Sequence, residues 1–474
     1  MKFIGCLTEE QQIADNVLTD GRFSLPYRQI PNCFKEFSQV FTELGIKPQD
    51  YVILRVDNTL PTALTLLYLL ENAYSMFLLP NGSLNNTAPD LPSFCRYVLT
   101  TQLLDKEDAN ALNPKLFLSI TTNPAWESNN PLLTTSFPKL LMRTSGSTGT
   151  PKMAVYAHEK LRGNVLNCVH RFGLSHTDRV TIPVPIYHMY GLGAAFLPSV
   201  AAGATIDLQK SSNLLTFIQR ETPFNPNLAF MTPSFAYTLL QTRKSKRPYR
   251  LTVTAGDRFR IDSFADYEAA FGPLVQLYGS TELGAIAAAE PTLPIEVRRH
   301  SVGLPMPDVA CRLQAPVDEE GELWCKRRYG FEGYVDKYGK PVSLGMDYVD
   351  GWFRTKDIAR FNPDGGLEVL GRSDHSVNRD GLLVFFADLE KTIEMLEPVE
   401  AVTIVTGDDT ERGKKLIAYC VVAKDSNLSA DMIRTHCFDK LPRRVVPDEI
   451  RLLDALPLLP NGKVDRITLQ QQFS

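Results

Sequence analysis

From residue 33 the chain reads CFKEFSQVFTELGIKPQDYVILRVDNTLPTALTLLYLLENAYSMFLLP. An amphipathic stretch, a turn, a short apolar run (Tyr51 to Val56), a long apolar run and a second short run ending at Pro80 follow one another. Apolar runs of strand length alternating with runs of helix length indicate βαβ units, whose parallel strands are buried on both faces. The alternation returns downstream. A helix is expected after His158, a strand at Val180 to Pro183, a helix at Gly191 to Ala202 and a strand at Ala204 to Leu208. Further strands are expected at Leu228 to Met231, Arg250 to Thr254 and Val275 to Tyr278.

Near residue 300 the texture changes to short alternating segments such as VACRLQA and GELWCKRR, separated by Gly, Asp and Pro, which suits an antiparallel or barrel-like region. After GRSD (371–374) comes a mixed segment of about 100 residues, a typical small domain. It carries candidate strands at Val402 to Thr406 and Lys415 to Ala423, a helix at Ala430 to Leu441 and a last strand near Ile450. The domain boundary is placed at Asp374.

One stretch stands out between these elements: RTSGSTGTPK, Arg143 to Lys152, after the apolar run Lys139 to Met142. A Walker A loop has Gly before its Lys and Ser or Thr after it; here Pro151 and Met153 flank Lys152, so that reading fails. Thr144, Ser145, Ser147 and Thr148 around Gly146 and Gly149 can still present hydroxyls and unobstructed N–H groups to an anion, with Lys152 supplying charge. Taken alone, such a run reads as a linker. Its place after a buried strand and before a helix argues for a built loop.

Together with four further segments in order, the loop resembles the phosphate loop of the adenylate-forming superfamily, which includes acyl- and aryl-CoA synthetases, peptide-synthetase adenylation domains and luciferases. The four are PIYHMYGLG (185–193), LYGSTELG (277–284), GWFRTKDIARFNPDGGLEVLGRSD (351–374) and LPLLPNGKVDR (456–466). The resemblance implies an α/β fold with a large N-terminal domain (1–373) of two α/β subdomains plus a β-barrel-like portion. A small, mobile α+β C-terminal domain (374–474) follows, hinged at Asp374.

The same resemblance implies roles. Tyr278 would stack on adenine, and Gly279 and Ser280 would border the same nucleotide site. Thr281 would touch the α-phosphate, and Glu282 would hold Mg²⁺, a hard cation that prefers carboxylate oxygen. Gly256, Asp257 and Arg258 (in TAGDR) would line the adenine and acyl sites. Asp357 would accept both ribose hydroxyls, with Arg372 assisting. His188 would stand beside the acyl carboxylate as a gate, since a carboxylic acid is already ionised at neutral pH. Lys463 of the PNGK segment would stabilise negative charge between carboxylate and α-phosphate, a task for a flexible point cation. Four positions depart from the family's pattern: Met153 and Lys356 stand where Gly is usual, and Leu383 and Phe386 replace positions often held by Arg or Gln and by Pro.

The implied reaction attacks the α-phosphate of ATP with a carboxylate, releases pyrophosphate and passes the acyl group to a thiol, either free CoA or the phosphopantetheine arm of a carrier protein. No GGxS-type segment is found, so the acceptor is expected from outside. AAFLPSVAAG (194–203) has no acid where amino-acid-activating relatives carry an FD pair, which favours a fatty or aromatic acid lacking an α-amino group. The pocket would be lined by Tyr187, Gly191, Phe230, Ala255, Leu283 and Gly284. Two alternatives stay open: an amino-acid-activating enzyme that loads a carrier protein, and a catalytically degenerate nucleotide-binding module.

Composition narrows the partners. The 474 residues include 44% hydrophobic and 22% charged, with net charge -4, an ordinary globular balance with no basic excess for nucleic acid. The longest uncharged apolar segment, Tyr190 to Ile206, is too short and too Gly/Pro-rich for a membrane span. The eight cysteines lie far apart without a CxxC pair, so reduced thiols in a cytoplasmic protein are expected.

Overall fold

The computed structural model describes residues 2–81, 91–102, 112–128, 138–144, 152–210, 214–242, 247–314, 320–373, 376–379, 382–410, 413–423, 425–443, 445–458 and 464–471. Two compact units emerge. The first comprises residues 1–311, 325–353 and 361–368; the second comprises 312–324, 354–360 and 369–474.

Two eight-stranded sheets, counted among the described residues, form the first unit. In one, the strands Tyr51–Val56, Met76–Pro80, Cys95–Thr101 and Lys139–Thr144 run parallel to one another. YVILRV is buried at five of six positions, as expected for a strand covered on both faces. The helix Leu60–Glu71 is buried from Leu60 through Leu70, so its apolar residues surround the whole helix rather than forming a stripe. In the other sheet, Arg179–Ile182, Thr205–Leu208, Leu228–Met231, Leu251–Ala255 and Leu274–Ser280 are parallel, and Gly284–Ala288 closes the edge antiparallel.

Two local features differ from expectation. The Ser/Gly-rich loop does not lead into a helix: Lys152–Ala157 is a strand that pairs antiparallel with Lys139–Thr144, and the helix His158–Phe172 begins only afterwards. KMAVYA buries its four central residues against the sheet, and that burial makes the loop a hairpin connection. The helix expected from Gly191 opens as a π-helical turn, Tyr190–Phe196, before the short α-helix Leu197–Ala201.

The second unit holds the strands Val399–Thr410, Gly413–Val422 and Glu449–Leu452 in one sheet. The helices Phe386–Glu394 and Ala430–Lys440 contribute Leu389, Ile393, Ile433 and Cys437 to its core. Among the described residues no helix is long and apolar enough to cross a membrane.

Candidate active site

The register of three adjacent parallel strands assembles the site. Phe230 lies beside Val253, Met231 beside Thr254, and Ala255 beside Leu277. The C-terminal strand ends therefore present Phe230, the turn Ala255–Arg258 and the segment Tyr278–Gly284 side by side, where parallel α/β sheets bind ligands. Gly256 has φ +96°, so the turn leaves the strand in a left-handed conformation suited to glycine. Asp257 accepts from the Arg258 N–H at 2.7 Å, and Arg258 pairs with Glu368 at 2.9 Å.

Side chains from distant parts of the chain hold the Tyr278–Gly284 segment. A register shift lies between Tyr278 and Gly279 in the pairing with Gly284–Ala288. Ser280 Oγ accepts from the Leu283 N–H at 3.1 Å. The buried Tyr156 donates its hydroxyl to the Thr281 carbonyl at 2.9 Å, and the Phe331 N–H donates to the Glu282 carbonyl at 2.8 Å. Tyr334 donates to Glu282 Oε1 at 2.5 Å. Burial, then the Glu282 charge, push the Tyr334 phenol well above its ordinary value, so it remains a donor.

Lys152 joins this group. Its Nζ lies 5.7 Å from the Tyr334 ring centroid, a cation–π distance. Thr144 and Lys152 face each other across the hairpin, the Thr144 hydroxyl donating to the Lys152 carbonyl at 3.3 Å. The two ends of the loop are thereby placed, while Ser145, Gly146, Ser147, Thr148 and Gly149 lie outside the described residues, as do Asp374 and Lys463.

The expected acyl pocket is built around the π-helical turn. Tyr190 donates its hydroxyl to the carbonyls of Met231 (3.0 Å) and Val253 (2.7 Å), pinning the turn to the strand ends. A Cβ on Gly191 would collide with the Pro185 carbonyl oxygen, so the turn closes only with glycine there. Tyr187 is half-buried and His188 exposed, with ring centroids 4.4 Å apart. Phe230 is fully buried, edge-on to Phe172 at 6.0 Å and near Tyr190 at 6.4 Å. Ala255, Leu283 and Gly284 are buried as well.

Asp357 and Arg372 belong to the second unit. Arg372 Nη1 lies 3.7 Å from Asp357 Oδ1 and donates to the Thr355 carbonyl at 3.3 Å. Between Thr355 and Asp357, Lys356 has φ +63°. The position where Gly is usual is thus a left-handed one that a lysine occupies here.

Sequence reasoning did not reach Tyr334 or Tyr156. Their partners are 52 and 125 residues away, and no local pattern marks either tyrosine.

The fold is similar to that of a solved CoA synthetase. o-Succinylbenzoate CoA synthetase of Bacillus subtilis, in complex with its acyl-adenylate, aligns over 97% of this chain and 96% of its own with a TM-score of 0.81 at 19% identity. The AMP-binding enzyme model matches residues 88–335 and the AMP-binding enzyme C-terminal domain model residues 388–463. The chain belongs to the AMP-binding enzyme family. One component of the linear gramicidin synthase of Brevibacillus parabrevis is 30% identical over 71% of this chain and 4% of its own length. Sulfoacetate–CoA ligase of Cupriavidus necator is 27% identical over 70% of this chain and 66% of its own length. The chain thus covers less than two thirds of either relative.

Proposed function

We propose that the protein is an acid–thiol ligase: it activates a carboxylic acid with ATP as an acyl-adenylate, releases pyrophosphate and passes the acyl group to a phosphopantetheine thiol, of CoA or of a separate carrier protein. One observation carries the reading: the row Lys152, Tyr334 and Glu282 beside the strand ends. It sets a cation at the end of the Ser/Gly-rich hairpin and an oriented carboxylate opposite.

The residues suit ATP and Mg²⁺. Glu282 is a hard oxygen ligand held by one oxygen, and bound Mg²⁺ would neutralise phosphate charge there. Tyr278 would stack on adenine, Thr281 would hydrogen-bond the α-phosphate, and Asp357 with Arg372 would hold the ribose. Residues Thr144 to Lys152 would cradle the outer phosphates. The carboxylate would lie between His188 and the Ala255 turn, where positioning against the α-phosphate supplies most of the rate. Lys463 would stabilise charge between the two, and a swing of residues 374–474 about Asp374 would then admit the thiol.

A fatty or aromatic acid without an α-amino group fits the apolar wall, because Ala194, Ala195, Phe196 and Leu197 are buried and none can pair with an ammonium. A cytoplasmic setting fits the eight free cysteines. Mass spectrometry of products tests the ligase half. Protein, acid and ATP offered CoA and carrier proteins in turn should yield an acyl thioester, and acyl-AMP alone in every case would contradict it.

A further inference from the structure

The helix His158–Phe172 packs through a polar seam. Asn164, Asn167 and Arg171 lie at i, i+3 and i+7, on one face. Asn167 donates to the Pro307 carbonyl at 2.7 Å, and Arg171 donates to the Leu304 and Pro305 carbonyls, each at 2.9 Å. Asn164 differs from the other two because its side chain engages three separate elements at once.

Asn164 is 1% exposed. Its Nδ2 donates to the Gly193 carbonyl at 2.7 Å, inside the π-helical turn. Its Oδ1 accepts from the Ala285 N–H at 3.0 Å and from Arg327 Nη2 at 2.9 Å. Two donors on one oxygen fix the amide orientation. Arg327 completes the bracket by donating Nη1 to the carbonyls of Leu283 and Ala285. Gly284 between them has φ +63°, and a Cβ there would stand 2.5 Å from Asn164 Oδ1.

We propose that Asn164 and Arg327 are positioning residues that set the turn after Glu282 and the acyl wall in one fixed relation. Arg327 governs the nucleotide side through Leu283 and Ala285, and Asn164 Nδ2 governs the acyl side through Gly193. Both hold backbone, and neither needs to touch substrate. The inference rests on the adenylate-forming reading for its kinetic consequence and on geometry alone for its structural one.

The two arms can be cut separately. Asn164→Asp keeps the acceptor for Ala285 and Arg327 but sets a carboxylate oxygen against the Gly193 carbonyl. Losing that buried hydrogen bond should raise KM for the acid by about fivefold or more while leaving KM for ATP within about twofold. Arg327→Met removes the donors to Leu283 and Ala285 at similar length and should give the converse. Gly193→Ala, whose Cβ would meet Asn164 Nδ2 at 3.0 Å and Met189 Sδ at 2.7 Å, presses on the acyl arm from the other side and should mimic Asn164→Asp.

Hydrogen exchange reads the same split without turnover. Asn164→Asp should speed exchange in residues 190–196 and spare 283–288, and Arg327→Met should do the reverse. Equal changes in both KM values, or faster exchange in both segments from either variant, would reduce the pair to general stabilisation and overturn the proposal. A wild type that shows no acid-dependent turnover would count against the ligase reading, and the exchange pattern would still decide the bracket.

Discussion

The Tyr334 hydroxyl donates to Glu282 Oε1 at 2.5 Å, and Lys152 lies over the face of the same tyrosine. One aromatic ring thus orients the carboxylate proposed to hold Mg²⁺ and faces the cation at the end of the proposed phosphate hairpin. Tyr334 sits on a two-residue strand that pairs antiparallel with Lys152–Ala157, so the relation is built into the sheet.

Removing that hydroxyl tests its use. Tyr334→Phe keeps the ring and its packing but frees Glu282, and a hydrogen bond to a charged group corresponds to about a tenfold effect or more. Adenylation at limiting Mg²⁺ should fall by about that factor and recover as Mg²⁺ is raised. An unchanged Mg²⁺ dependence would mean that Tyr334 does not orient the carboxylate.

The left-handed backbone at Lys356 makes a stability prediction. A non-glycine residue there costs about 1–2 kcal/mol, against which glycine loses about 0.5–1 kcal/mol of extra chain entropy. Lys356→Gly should therefore stabilise the protein by up to about 1 kcal/mol, and Lys356→Val should destabilise it. Denaturant midpoints in the order Val, Lys, Gly are expected, and a midpoint for Gly below that of Lys would contradict the assigned conformation.

His158 is 1% exposed at the start of its helix. Burial lowers its pKa from 6.5 to about 3. The folded protein keeps it neutral while the unfolded chain takes up a proton below 6.5. Its stabilising contribution is therefore complete above that pH and declines as pH falls toward 3, by about 1.4 kcal/mol per unit and roughly 5 kcal/mol across the window. In urea titrations between pH 4 and 6.5, His158→Gln should show a flatter decline than wild type. Identical slopes would show that His158 is not the group responsible.

Local apolar runs made the parallel strands Tyr51–Val56, Thr205–Leu208 and Leu228–Met231 legible in the sequence, because a strand buried on both faces needs little besides apolar side chains. The strand Lys152–Ala157 was hidden by its position, directly after a Ser/Gly-rich loop and directly before the helix His158–Phe172. The motif segments put Tyr278–Glu282 and Ala255–Arg258 at strand ends, since turn chemistry is local. Tyr334, Tyr156, Asn164 and Arg327 act on partners 29 to 163 residues away, and only tertiary packing brings them in. Lys356 stood out in the sequence as a departure, whereas the reason glycine suits the position, a positive φ, is visible only in the backbone.

The most direct test of the proposed chemistry is acid-dependent ATP–pyrophosphate exchange by the wild type and Lys463→Ala, across fatty, aromatic and amino acids. Exchange is expected with at least one acid lacking an α-amino group, and its near-complete loss is expected in Lys463→Ala with ATP binding retained. Exchange confined to amino acids would contradict the assigned substrate class. No exchange with any acid in a protein that binds ATP, or undiminished exchange in Lys463→Ala, would contradict the proposed chemistry.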